Sequence, residues 1–308
     1  VGSVFVVIYD YAFVKKPKGN ASCRTLPGMR LYLAVENGTI KFHESSAFID
    51  RTIFVSRERQ GDAMPNEYDN DVFFTRYAQM DRSKGGLAAA GEWHQLEPLF
   101  PPLEGMAVLD LGCGYGWHCQ YAADQGAAKV LGIDLSEKML EQAERRNRNG
   151  KIRYRHCGIE AYEYPESAWD IVVSNLALHY IEDLEQVFRN VWQTLRPGGT
   201  FLFNIEHPVF TSGVHQDWIY GEGGIPQYWP VDDYYLPGQR VTRFLGCEVI
   251  KQHHTLTQIL MGLLNCGFTL EVVEEVQPSE EMLEIPGMRD EMRRPMMLLV
   301  RAKKQAAG

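Results

Sequence analysis

The residues best placed to do chemistry lie in Val108-Leu109-Asp110-Leu111-Gly112-Cys113-Gly114-Tyr115-Gly116-Trp117, where an aliphatic run breaks into glycines at alternate positions. Glycine at such a strand-to-helix turn lets the backbone approach a ligand closely. A dinucleotide fingerprint reads G-x-G-x-x-G, and Trp117 stands where its third glycine belongs, which argues against a nicotinamide cofactor. Asp134 ends the next apolar run, Val130-Leu131-Gly132-Ile133-Asp134, 22 residues after Gly112. There its carboxylate can accept both hydrogen bonds of a ribose diol. Asp110, just before the turn, suits an ammonium-bearing ligand, because a carboxylate there would repel a pyrophosphate.

Two histidines fall at the ends of predicted strands. His179 follows Asp170 to Asn175, and His207 follows Thr200 to Ile205, so both point to the catalytic edge of an open α/β sheet. An imidazole titrating near neutrality is a natural general base, and His207 is the first choice. A hydrogen-bonded structural histidine is the alternative for each. The nine histidines include no H-E-x-x-H or other ligand spacing, so no metal site is expected. Asp134 could also be a helix-flanking carboxylate ahead of Ser136, which reads as an N-cap.

The elements that must position these groups follow from periodicity. Met106 to Leu111, Lys129 to Leu135, Ile152 to Cys157, Asp170 to Asn175 and Thr200 to Ile205 read as five buried strands alternating with helices. Leu184, Val187, Phe188, Val191, Trp192 and Leu195 form an apolar helical stripe that must lie on the sheet, and Arg196-Pro197-Gly198-Gly199 stops it. Trp93, Leu96, Leu99 and Phe100 predict a shorter helix covering a sheet edge. Residues 207–246, rich in Trp, Tyr, Gly and Pro, read as a substrate-covering insertion. A helix over Thr255 to Cys266 and strands Thr269 to Val276 and Met296 to Ala302 complete the expected sheet.

The 308 residues, 45% hydrophobic and 23% charged, can bury a full core without staples, and no apolar run approaches the roughly 20 residues that span a bilayer. A net charge of −9 disfavours a phosphate backbone as partner. Six scattered cysteines form no disulfide framework, and the opening VGSVFVVIYD lacks a basic leader, so a cytoplasmic protein is expected. Charge is uneven, with +3 over residues 1–63 and −12 over the rest. Residues 1–63 carry no chemical motif and read as an N-terminal extension of unknown role. One expectation places them outside the natural product, because Gln60-Gly61-Asp62 can be encoded by CAA-GGA-GAT, a purine-rich ribosome-binding sequence just ahead of Met64.

Taken in order, VLDLGCGYG, GIDLS, DIVVSNLALHY and LRPGG resemble the class I S-adenosylmethionine-dependent methyltransferases, in particular the small-molecule branch similar to the quinone-biosynthesis methyltransferases. The resemblance covers about residues 70–305 within a domain spanning 64–308. It implies a Rossmann-like, doubly wound α/β sheet of seven strands, mostly parallel with an antiparallel last strand, and S-adenosylmethionine lying over the carboxyl ends of the first strands. Asp110, Gly112, Cys113 and Gly114 would face the methionine moiety, Asp134 the ribose, and Leu135 and Met139 the adenine. Many relatives place an Asp after the third strand against the adenine amine; Gly158 stands there, so the Ile159 backbone and Glu160 are expected instead. Asn175, Leu176 and Ala177 would open toward the transferred methyl. Tyr77, in Phe73-Phe74-Thr75-Arg76-Tyr77, resembles an aromatic that closes over the cofactor, although a core role is equally open to it. Neither an N/D-P-P-Y signature nor a Pro-Cys pair is present, which excludes the familiar DNA-base chemistries. The expected function is in-line methyl transfer to a small molecule, without nucleic acid or membrane partner. A non-catalytic S-adenosylmethionine-binding or regulatory protein is the alternative.

Overall fold

The computed structural model describes residues 66–213 and 215–306, together with the backbone of five short strands between Val7 and His43. The chain divides into two units, Val1–Met64 and Pro65–Gly308. In the first, Ser22–Arg24, Arg30–Glu36 and Thr39–His43 pair antiparallel. The apolar run Ile53 to Val55 and the stretch Gln60 to Met64 lie outside the described residues.

The second unit is built on one sheet: β1 (Ala107–Leu111), β2 (Lys129–Asp134), β3 (Ile152–His156), β4 (Trp169–Asn175), β5 (Leu195–Glu206), β6 (Phe268–Glu275) and β7 (Met297–Lys304). Their order is β6-β7-β5-β4-β1-β2-β3. β7 runs antiparallel to both neighbours, and the remaining pairs are parallel. The chain winds outward from β1 to β3, then returns to place β4 on the other side of β1. That reversal opens a crevice beyond the carboxyl ends of β1 and β4, the place where open α/β sheets bind ligands.

Helices cover both faces because successive strand residues point to opposite sides. The longer ones are α1 (Asp71–Tyr77), α2 (Trp117–Asp124), α3 (Glu137–Arg146), α4 (Leu184–Thr194) and α5 (Leu256–Asn265). Leu109 and Leu111 pack with Val187, Phe188 and Val191 of α4 and Leu263 of α5. Val108 packs on the opposite side with Cys119, Ala122 and Ala123 of α2 and Leu140 of α3. Side-chain caps fix the starts of these helices. Asp183 accepts from the Gln186 amide at 2.9 Å, and Thr255 with Gln258 closes a reciprocal capping box on α5.

Three details differ from the sequence expectation. Leu96 and Leu99 pack on Leu202 and Leu299, so the short Trp93–Leu96 helix covers a face over β5 and β7 rather than an edge. Trp192 stays at the rim, 38% exposed, while Leu195 leaves α4 and begins β5. The region after β5 folds into a short helix, Pro208–Ser212, and two hairpins, Ile219–Tyr220 with Pro226–Tyr228 and Gly238–Phe244 with Cys247–His253. The second hairpin runs past residue 246; its half-exposed strands of mixed polarity leave only a weak period-two signal.

The C-terminal end of α4 depends on one buried cation. Lys304 on β7 donates to the carbonyls of Trp192 at 2.8 Å and Leu195 at 2.7 Å, and its Nζ lies 4.0 Å from the centre of the Trp192 ring. Lys304→Met would leave these carbonyls without that donor, and urea denaturation is expected to show a loss of about 1–3 kcal/mol.

Candidate active site

The turn after β1 is tight for a specific reason. Gly112 has φ of +74°, and a Cβ on it would sit 2.4 Å from the Ala177 Cβ. The glycine therefore lets the β1 turn and the end of β4 touch. Gly112 and Cys113 both donate their amides to the Ile133 carbonyl at 2.9 Å, locking the turn to β2. Beyond that lock the turn faces open space, since nothing lies within 4 Å of a Cβ built on Gly114.

Asp134 grips the same turn. Its Oδ2 accepts from the Gly114 amide and its Oδ1 from the Ser136 amide, each at 2.8 Å. Burial raises its pKa, and these two hydrogen bonds oppose the shift. Each carboxylate oxygen keeps a lone pair for another donor. Ser136 caps α3 by accepting from the Met139 amide at 3.1 Å and donates to Asp69 at 2.6 Å. Of the expected adenine neighbours, Leu135 is 55% exposed and Met139 is buried. The Leu135 Cδ1 would lie 3.6 Å from a Cβ on Gly158, and the Ile159 Cδ1 3.6 Å from one on Gly112. The Ile159 carbonyl accepts from the Tyr164 hydroxyl at 2.9 Å. Glu160 is exposed, and its carboxyl is pushed up by partial burial and by the charges of Glu182 and Asp183.

Asp110 is the least comfortable group in the site. It is 1% exposed, its Oδ2 accepts only the Cys119 thiol at 3.3 Å, and its Oδ1 is buried with no partner. Burial drives its pKa up to about 7, with the Cys119 bond opposing and the Asp134 charge adding. Burial also pushes the Cys113 thiol up to about 11, which keeps it neutral.

Over the crevice, Tyr77 from α1 meets Tyr68 and Tyr115 edge-on, with ring centres 5.5 and 5.7 Å apart. Burial raises its phenol pKa, and the charges of Arg82, Asp134 and Glu92 all reach it. At the end of β4, Asn175 donates to Glu92 Oε1 at 2.9 Å and accepts from Asn204 at 2.9 Å. Glu92, 2% exposed, also pairs with Arg82; burial pushes its carboxyl up, but Arg82 and Asn175 outweigh it and hold it low. Leu176 follows with φ of +54°, a left-handed conformation costly for leucine and common at functional sites.

The two histidines occupy different surroundings. His207 Nδ1 accepts from the Val209 amide at 3.0 Å, and its Nε2 lies 3.0 Å from Glu275 Oε1, off the axis of a good hydrogen bond. Its ring thus caps the Pro208–Ser212 helix with one nitrogen and faces a carboxylate with the other; burial lowers its pKa while Glu275 opposes. His179 is 3% exposed, with Nε2 3.8 Å from Glu206 and Nδ1 unpartnered. Burial takes its pKa down to about 4 against the Glu206 charge, so the ring is neutral at physiological pH.

Sequence reading missed the groups that organise the β5 end of the crevice. Glu206 takes a hydrogen bond from Gln216 at 2.9 Å and pairs with Lys251, itself 4% exposed. Glu206 adjoins His207, so strand-end position was the available signal. Lys251 and Glu92 stand in unmarked sequence. Among the described residues no group of three or more His, Cys, Asp or Glu side chains gathers as a metal site, and no helix is long and apolar enough to cross a membrane.

The family of methyltransferase domains matches residues 109–203, from β1 to β5. A Listeria monocytogenes chain assigned as an S-adenosylmethionine-dependent methyltransferase is 47% identical, with 71% of this chain and 99% of that chain covered at a TM-score of 0.69. An S-adenosylmethionine-dependent methyltransferase from Mesorhizobium loti is 40% identical, covering 71% of this chain and all of its own, at a TM-score of 0.66. An uncharacterised Haemophilus influenzae protein is 32% identical over 77% of this chain and 96% of its own length. Partial matches include a malonyl-[acyl-carrier protein] O-methyltransferase of Pectobacterium atrosepticum, 29% identical over 60% of this chain and 66% of its own. A phosphoethanolamine N-methyltransferase of Caenorhabditis elegans is 31% identical over 33% of this chain and 24% of its own. With a glycine turn that leaves room for a ligand, a buried carboxylate beneath it with one oxygen unpartnered, and the Listeria and Mesorhizobium chains aligned along nearly their whole length, the chain belongs to the class I S-adenosylmethionine-dependent methyltransferases.

Proposed function

We propose that the second unit holds S-adenosylmethionine across the turn after β1 and transfers its methyl group to a small molecule lying beyond the ends of β4 and β5. The observation that carries this placement is the unpartnered Asp110 Oδ1 beneath a turn open at Gly114. An ionised carboxylate left alone in the interior is expensive, and a ligand ammonium would supply what it lacks. When bound, the cofactor supplies a methyl group already activated by its sulfonium. Asp110 would orient the ammonium against the Gly112, Cys113 and Gly114 backbone, and the free lone pairs of Asp134 would take the ribose hydroxyls. Leu135, Met139, Ile159 and Glu160 would border the base. Tyr77 would exclude water from above, and Asn175 and Leu176 would shape the floor toward the acceptor.

His179 is our preferred general base over His207, because its Nδ1 is free while both His207 nitrogens face protein groups. The neutral imidazole there can accept a proton from an acceptor hydroxyl or amine, although burial, which takes its pKa down to about 4, makes it a weak base. A relative named for phosphoethanolamine supports a metabolite-sized acceptor. The narrower kinship with quinone-biosynthesis enzymes rests on motif likeness alone. Free thiols at Cys113, Cys119, Cys157, Cys247 and Cys266 support a cytoplasmic setting.

Calorimetric titration is expected to show S-adenosylmethionine binding that weakens by up to about tenfold per pH unit below pH 7, as Asp110 takes up a proton. Unaltered affinity in Asp110→Asn would overturn the placement. The same variant should melt higher than the wild type when ligand-free at pH 8. The sign follows from a carboxyl whose folded pKa of about 7 exceeds its unfolded value of 3.8. Such a group costs stability fully above pH 7 and progressively less toward pH 4, so the gap in melting temperature should close over that interval. His179→Asn is expected to leave cofactor affinity unchanged and to slow turnover about 10²-fold, read as demethylated cofactor released with a small-molecule cell extract. Tritiated methyl groups should enter metabolites; label in protein or nucleic acid would refute a small-molecule acceptor.

A further inference from the structure

The aromatic region after β5 and the turn before β7 form an open pocket of about 290 Å³, lined in part by Val209, Trp218, Trp229, Arg293, Arg294 and Pro295. That volume suits a small ligand. Arg294 is 8% exposed, and its guanidinium carbon lies 4.3 Å from the Trp229 ring centre, 4.8 Å from Phe210 and 5.5 Å from Trp218. Phe210 and Trp229 are themselves stacked, 5.0 Å apart and 14° from parallel.

The hydrogen bonding of Arg294 is half complete. Nη1 donates to Glu291 Oε2 at 2.8 Å and Nη2 to Glu291 Oε1 at 3.1 Å, so one carboxylate fills the end-on fork of the guanidinium. Nε is buried and has no partner. A guanidinium also presents a side-on fork, made of Nε–H and the adjacent Nη–H, which can take a second carboxylate while the first stays in place.

We propose that this cavity binds a small carboxylate with a flat apolar body, its carboxylate in the side-on fork of Arg294 and its body against Trp229 and Trp218. Charge disfavours a dianion, while the free Nε–H of Arg294 favours a single carboxylate. Arg293 pairs with Asp290 at 2.8 Å and Arg294 with Glu291, so the four side chains sum to zero. A dianion such as phosphate would meet two nearby carboxylates with no surplus cation. A neutral ligand of the same shape would leave Nε without the strong, charge-assisted acceptor the fork is built for. The site uses none of the residues placed around S-adenosylmethionine, so it stands whichever molecule accepts the methyl.

Benzoate, with benzamide as its neutral isostere and inorganic phosphate as the dianion, tests the site through the tryptophan fluorescence of the full chain. Benzoate should quench saturably, and the other two should bind about tenfold more weakly or not at all. Trp229→Phe should remove most of the quench and so locate it. Arg294→Lys keeps the charge but loses the fork, and should weaken benzoate at least about tenfold while S-adenosylhomocysteine still binds as in the wild type. Equal binding of benzoate and benzamide, or wild-type benzoate affinity in Arg294→Lys, would overturn the proposal. If the lysine variant does not fold, the benzoate and benzamide comparison on the wild type still decides. Loss of S-adenosylhomocysteine binding by the wild type would refute the cofactor placement and leave this site untouched.

Discussion

A carboxylate at the bottom of a glycine turn, short of hydrogen bonds, is the constraint around which this methyltransferase is organised. Asp110 lies on a strand buried along its whole length, and the thiol it receives from Cys119 is a weak donor. Removing it from water without full compensation destabilises the free protein. Neighbouring structure holds it there: β1 is flanked on both sides by parallel strands, and the turn above is fastened to the Ile133 carbonyl by two amides. The contact between Gly112 and Ala177 makes that turn and the end of β4 one mechanical piece. Discomfort confined to a rigid frame cannot relax by local rearrangement, and a proton or a complementary cation would relieve it.

The opposite end of the crevice is arranged on a contrary principle. Glu206, Lys251 and Gln216 satisfy one another, and the Glu92 cluster with Arg82 and Asn175 does the same at the end of β4. Such closed polar networks are costly to bury but specify one geometry. Between them stand an imidazole nitrogen at His179 with nothing bound to it and a strained leucine at 176. Largely settled networks thus stand beside a few unsatisfied atoms at this end of the sheet.

Much of this was legible in the chain itself. Aliphatic runs bounded by glycine located β1 and β2, and the 3–4 spacing from Leu184 to Val191 located α4, because those elements sit in the core and periodicity records burial. Asp110 and Asp134 stood out for the same reason, as charges at the ends of apolar runs. Glu92, Lys251 and Arg294 did not, since each derives its role from a partner far away in sequence, and spacing along the chain carries no trace of such pairs. The position of His207 was legible, but its cap was not: the amide of Val209, two residues on, donates to its ring. The hairpin from Gly238 to His253 escaped because its residues are half-exposed and of mixed polarity.

That hairpin meets α1 through a hydrogen bond and a ring contact. Arg76 donates to the Leu245 carbonyl at 2.7 Å, and Phe73 meets Phe244 with ring centres 5.8 Å apart. Gly246 beside it has φ of +74°, and a Cβ there would come within 2.2 Å of the Arg76 Nη1. Any side chain at position 246 would therefore have to displace the Arg76 guanidinium, so this link between α1 and the hairpin turn relies on a residue without a Cβ at that one place.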